Sequence, residues 1–132
     1  MRAKLSVLRA CRRLLRPGGR IAFYTIFIAP GLSPEDYERV LRLGDPPEVA
    51  SPAEQGELLR SVGFSDIDET DVTGEFLATA RGWLEGRERF AAQLRRREGA
   101  AAFDEGQVNR RARVAAIEAG LLRRALFVAV RR

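Results

Sequence analysis

The sequence has no histidine, one cysteine and one lysine, and each shortage removes a class of chemistry. Without histidine, neither Ser-His-Asp nor Cys-His activation of a nucleophile can be assembled, and the usual zinc and iron ligand sets are incomplete. Cys11 alone excludes an internal disulfide framework and every cysteine-rich metal site; it falls on the apolar side of a helical pattern and reads as a packed structural thiol. Long apolar runs are missing too. The longest, Ile21 to Pro30, is interrupted by Tyr24 and Thr25 and is far short of the roughly 20 residues a membrane helix needs. Met1 to Leu5 is basic without an apolar stretch or a small-residue cleavage site, so no signal peptide is legible and a cytoplasmic location is expected.

What is there is the composition of an ordinary globular domain: 45% hydrophobic and 31% charged residues over 132 positions, enough for one modest core. The net charge of +5 raises a nucleic-acid reading. Lys4 is the only lysine, however, and the arginines are spread over every helical segment. The densest cluster, Arg95 to Arg97, has no aromatic neighbours suited to stacking bases and reads as a solvated helix face.

Val7, Leu8, Cys11, Leu14 and Leu15 recur at helical spacing, with arginines between them, and Pro17-Gly18-Gly19 must end that helix. Arg20 to Ile28 is nearly continuous in apolar, β-branched and aromatic residues, the pattern of a central strand buried on both faces of a parallel sheet. Two helix starts share one design, a serine cap before a proline: Ser33-Pro34-Glu35-Asp36 and Ser51-Pro52-Ala53-Glu54, with glycine stops at Gly44 and Gly63. Phe64 to Thr73 carries too many acids for a covered strand and reads as an edge. From Glu75 to Arg97 a single helix is expected, its stripe of Phe76, Leu77, Ala80, Trp83, Leu84, Phe90, Ala91 and Leu94 placing Trp83 in the core. Asp104 with Gln107 has the spacing of a capping box opening a last helix, Glu105 to Glu118, with a small-residue packing face of Val108, Ala112, Ala115 and Ala119. Arg124 to Val130 reads as a closing apolar strand.

The run Leu14 to Ile26, a helix end, a Pro-Gly-Gly turn and an apolar strand, resembles the segment leading into the fifth strand of class I S-adenosylmethionine-dependent methyltransferases. Leu58 to Ile67 is similar to that family's last helix and sixth strand, and Arg124 to Val130 to its antiparallel seventh. The resemblance implies an α/β fold: the C-terminal half of a Rossmann-like sheet in one partial domain spanning 1–132, with 75–119 as a helical insertion or lid. It also implies a family cofactor, S-adenosylmethionine, held by a glycine-rich loop for which this sequence has no Gly-x-Gly. The chain on its own is therefore expected to be a truncated form that neither binds the cofactor nor transfers a methyl group.

In such a half-sheet the family's fifth, seventh and sixth strands stand side by side and the strand at 20–28 lacks a neighbour. Its free edge is expected to pair with a second copy or a complementary half. The resemblance nominates Tyr24, Thr25 and Phe27, at the carboxyl end of that strand, as lining a pocket for a small-molecule methyl acceptor, with Arg81 and Trp83 near it if the inserted helices form a lid. Two alternatives stand beside this reading: a non-catalytic partner docking through the free strand edge, and a basic nucleic-acid-binding module.

Overall fold

The computed structural model describes residues 2–43 and 55–132. The elements run α1 (Arg2–Leu14), β1 (Arg20–Ile28), α2 (Pro34–Leu43), α3 (Gln55–Ser61), β2 (Phe64–Asp71), α4 (Thr73–Arg89), α5 (Ala91–Glu98), α6 (Ala100–Glu118) and β3 (Leu122–Arg131). Gly44 and the cap Ser51 to Glu54 lie outside the described residues.

The turn after α1 forms as its residues demand. Gly18 adopts φ +78°, a conformation that costs a residue with a Cβ, and its amide donates to the Arg131 carbonyl at 2.9 Å. The Arg131 amide returns a bond to the Gly19 carbonyl at 2.8 Å, so the turn is stitched to the end of β3. At α2, Ser33 Oγ accepts the Asp36 amide at 3.2 Å and Pro34 takes the first helical position. Gly63 closes α3 at φ +94°, with its amide on the Arg60 carbonyl.

The three strands are ordered β1-β3-β2, with β3 antiparallel to both neighbours. β1 is thus an edge strand, not the central strand of a parallel sheet that its composition suggests. It is apolar on both sides because each side meets a different core. Ile21, Phe23 and Phe27 pack against Leu8, Leu58, Leu59, Val62, Phe64, Ala125, Phe127 and Ala129, beneath α1 and α3. Ile26 and Ile28 pack on the other face against Val40, Phe76, Ala116, Ile117 and Leu122, beneath α2, α4 and α6. The Phe23 and Phe127 rings stack at 5.6 Å across the strand pair. Val7 and Leu14, expected on the buried side of α1, stay exposed.

β2 is the other edge, as its acids require, and it contains a bulge between Ser65 and Asp68 with Asp66 at φ +48°. Phe64, before the bulge, and Ile67, after it, both belong to the first core, although strict alternation would send them to opposite faces. The extra residue turns the strand over.

The helical segment between β2 and β3 departs from the sequence pattern at four points. The expected helix 75–97 is two helices that break at Phe90. Trp83 is 67% exposed, so its place in the stripe does not make it core. Asp104 and Gln107 do not form a cap, because α6 begins earlier, after Gly99 at φ +92°. Asp104 instead binds Arg95 at 2.8 Å, and buried Gln107 donates to Glu88 Oε1 at 3.1 Å. Nor does the small-residue face pack: Val108 is exposed, and Phe103, Gln107, Val114, Ala116 and Ile117 form the buried side. Phe103 is clamped between the Arg87 and Arg95 guanidinium groups, 5.6 and 5.0 Å from its ring centroid.

Candidate functional site

A cleft of about 850 Å³ opens where the carboxyl ends of β1 and β2 meet the start of β3. In an open α/β sheet this is the end at which ligands bind, because the loops that leave the strands there enclose a crevice. The register shows how the floor is built. Phe27 pairs with Arg123 across one ladder, and on the other ladder Glu69 pairs with Phe127 and Asp71 with Ala125. These side chains share one face of the sheet, so Phe27, Ile67, Ala125 and Phe127 form an apolar floor and Glu69, Asp71 and Arg123 a charged margin. The loop after β1, tied down by the Ala29 amide on the Leu121 carbonyl at 2.9 Å, and Tyr37 and Glu38 of α2 make one wall. Gln55, Gly56 and Arg60 of α3 make another.

The charges at the margin are not equivalent. Asp71 Oδ1 accepts the Thr73 hydroxyl at 2.6 Å and the Thr73 amide at 2.9 Å, and Oδ2 receives Arg123 at 2.5 Å. The Thr73 bonds, then Arg123, hold its carboxyl at about 2 against an ordinary 3.8. Asp71 is therefore an ionised cap for the start of α4 and a clamp on Arg123. Glu38 is paired with Arg42 at 3.5 Å along α2. Among the described residues, Glu69, Tyr37 and Arg60 make no side-chain hydrogen bond or ion pair. The Arg60 guanidinium lies back over Gly56, where a Cβ would stand 3.8 Å from both terminal nitrogens.

Of the five residues nominated from the sequence, Phe27 lines the cleft. Thr25 shares its strand face but lies one pair further from the mouth, opposite Ala125. Tyr24 points to the opposite face, where the Arg124 guanidinium sits 4.2 Å from its ring centroid. Arg81 is bound to Glu118 at 2.8 Å, bracing α4 against α6. Trp83 stands on the exposed side of α4. Tyr37, Arg60, Glu69 and Arg123 also line the cleft and do not stand out in the sequence, because the side on which Glu69 and Asp71 emerge depends on the bulge. The signal available was the clash between apolar Phe64 and Ile67 at odd spacing in one strand.

An antiparallel strand between two parallel ones, with helices on both faces and a long helical excursion before the last strand, defines the fold of the C-terminal portion of class I S-adenosylmethionine-dependent methyltransferases. The chain superposes on Haemonchus contortus phosphoethanolamine N-methyltransferase 2, in complex with phosphomonomethylethanolamine and S-adenosylhomocysteine, with a TM-score of 0.78 at 17% identity. It superposes on a cyclopropane synthase from Mycobacterium tuberculosis with a TM-score of 0.80 at 11% identity. A structure from Galdieria sulphuraria, assigned as a sarcosine dimethylglycine methyltransferase, gives 0.80 at 14%. In each case 96% of this chain is matched, but it spans only 29%, 49% and 47% of those chains respectively. No protein-family model matches the sequence, and no curated protein does.

Proposed function

We propose that this chain forms the acceptor side of an S-adenosylmethionine-dependent methyltransferase, its cleft receiving a small-molecule methyl acceptor. The observation that carries this reading is the position of the cleft, at the carboxyl ends of β1 and β2 in a sheet ordered as in those enzymes. The cofactor's protein contacts come from elsewhere. Gly31 is the one glycine between β1 and α2, and the helix start beyond it is closed by the Ser33 cap and by Pro34, which has no amide to offer. Asp71, the carboxylate ending β2, is consumed by Thr73 and Arg123 and is not open to a ribose. These features support the reading that the chain alone does not hold S-adenosylmethionine.

The free edge of β1 is the natural place for a complementary half or a second copy to join, by continuing the backbone ladder. A regulatory partner docking on another methyltransferase would use the same edge. Nucleic acid is disfavoured because Arg81, Arg87, Arg95, Arg111 and Arg123 are each committed to a carboxylate. No helix among the described residues is long and apolar enough to cross a membrane.

Calorimetric titration with S-adenosylmethionine, run beside sedimentation velocity, tests this reading. The isolated chain is expected to self-associate and to show no cofactor binding, and the assembly completed along β1 is expected to bind cofactor. A monodisperse monomer would refute the edge pairing. Micromolar cofactor binding by that monomer would refute the division of the site.

A further inference from the structure

We propose that the cleft is built for a small zwitterion, a molecule with an ammonium group at one end and an anionic group at the other. The inference rests on the reading of the cleft as the acceptor site and narrows its ligand class. It starts from which charges are already satisfied. Asp71 with Arg123, and Glu38 with Arg42, are internal pairs whose charges are largely cancelled. Left over on the cleft lining are one carboxylate, Glu69, one guanidinium, Arg60, and the phenol of Tyr37, none with a side-chain partner among the described residues.

Glu69 and Arg60 line the same cleft, yet no ion pair joins them among the described residues. They sit on different elements, β2 and α3. Glu69 is cross-strand to Phe127, so its carboxylate stands at the border of the apolar floor, beside aromatic surface that favours a cation's alkyl substituents. The Arg60 guanidinium is turned back along α3, and Gly56 leaves open the space beside it that a larger side chain would fill. A planar fork presented over a glycine suits a carboxylate or a phosphoryl group, which it can engage through two parallel hydrogen bonds.

Glu69 and Arg60 are both exposed, so a ligand with a single charge engages one of the two free groups and leaves the other to water. A zwitterion satisfies both. Discrimination then comes from the separation of charges and not from either charge alone.

The test uses the whole chain and three matched probes: 3-aminopropylphosphonate, propylphosphonate and propylamine, with binding followed by isothermal titration and by amide shifts at Glu69 and Gly56. The zwitterion is expected to bind at least about tenfold more tightly than either singly charged probe, through the one additional charge-assisted contact. Glu69→Gln should reduce the zwitterion to the affinity of propylphosphonate without altering propylphosphonate itself, and Arg60→Gln should do the converse. Circular dichroism of both variants secures that they fold. Equal affinity for propylamine and the zwitterion, no binding of any probe by the folded chain, or shifts confined to other surfaces would overturn the proposal. Its failure is separable from that of the methyltransferase reading. Methyl transfer to an uncharged acceptor by the completed assembly would leave that reading standing and remove this one. Tight zwitterion binding without methyl transfer would do the reverse.

Discussion

Truncating Phe127 to alanine should cost about 4 kcal/mol. Phe127 lies on the central strand, is 1% exposed, stacks on Phe23 and forms part of the cleft floor, so it joins the core under α1 and α3 to the candidate site. An aromatic side chain of this kind takes about 150–250 Å² out of water, worth about 4–6 kcal/mol at ~25 cal/mol/Å² as an upper bound. The cavity left in a close-packed core keeps Phe-to-Ala costs within about 3–5 kcal/mol. A domain of this size has about 5–15 kcal/mol in total, so the variant would lose between roughly a quarter and four-fifths of its stability. Urea denaturation followed by far-ultraviolet circular dichroism reads the loss directly, with Phe127→Leu as a control expected to cost under about 2 kcal/mol. Phe23→Ala, on the half-buried edge strand, should cost about half as much as Phe127→Ala. A Phe127→Ala loss below about 2 kcal/mol at unchanged m-value would show that β3 is not the centre of one packed core, and the reasoning would fall with it.

Three further outcomes are expected. Gly63→Ala should lose about 1–2 kcal/mol from its left-handed backbone alone, and more from a Cβ 2.5 Å from Arg12 Nε; in the Arg12→Ala background the second part should vanish, as a double-mutant cycle would show. Asp71 has a folded pKa of about 2 against 3.8, so its contribution is complete above pH 4 and is lost as pH falls through about 2. With the side chain 54% exposed, solvent screening holds that contribution below about 1 kcal/mol, and the stability gap between wild type and Asp71→Asn should close on acidification. Gln107→Leu should free Glu88, whose carboxyl is held below the usual range first by Gln107 and then by Arg111; its pKa, followed by carboxylate resonance, should rise towards 4.5.

Local punctuation was legible and tertiary consequences were not. Pro17, Gly18, Gly19, Ser33, Pro34 and Gly63 act within a turn of their own position, so the limits of α1, β1, α2 and β2 follow from them. The break at Phe90 has no such marker. It is held by contacts formed after folding, Arg87 with Glu98 at 2.5 Å and both Arg87 and Arg95 against Phe103. Trp83 shows a related limit: helical spacing says that residues share a face but not that anything covers it. For β1, residue type alone could not tell a strand buried in a sheet from an edge strand that serves two cores. The order implied by the resemblance could, because it specified neighbours.

The bulge at Asp66 gives this chain a rule for reading its relatives. In β2 the position of a residue relative to that one irregular step decides whether its side chain enters the cleft or leaves it, so counting along the strand is meaningful only within each side of the step. Two sequences may share every acid between Phe64 and Asp71 and still differ by one residue at the bulge. They would then present opposite sets of charges to the ligand. An alignment that places the gap anywhere else would pair Glu69 with a residue on the far side of the sheet and report identity where the chemistry has been inverted.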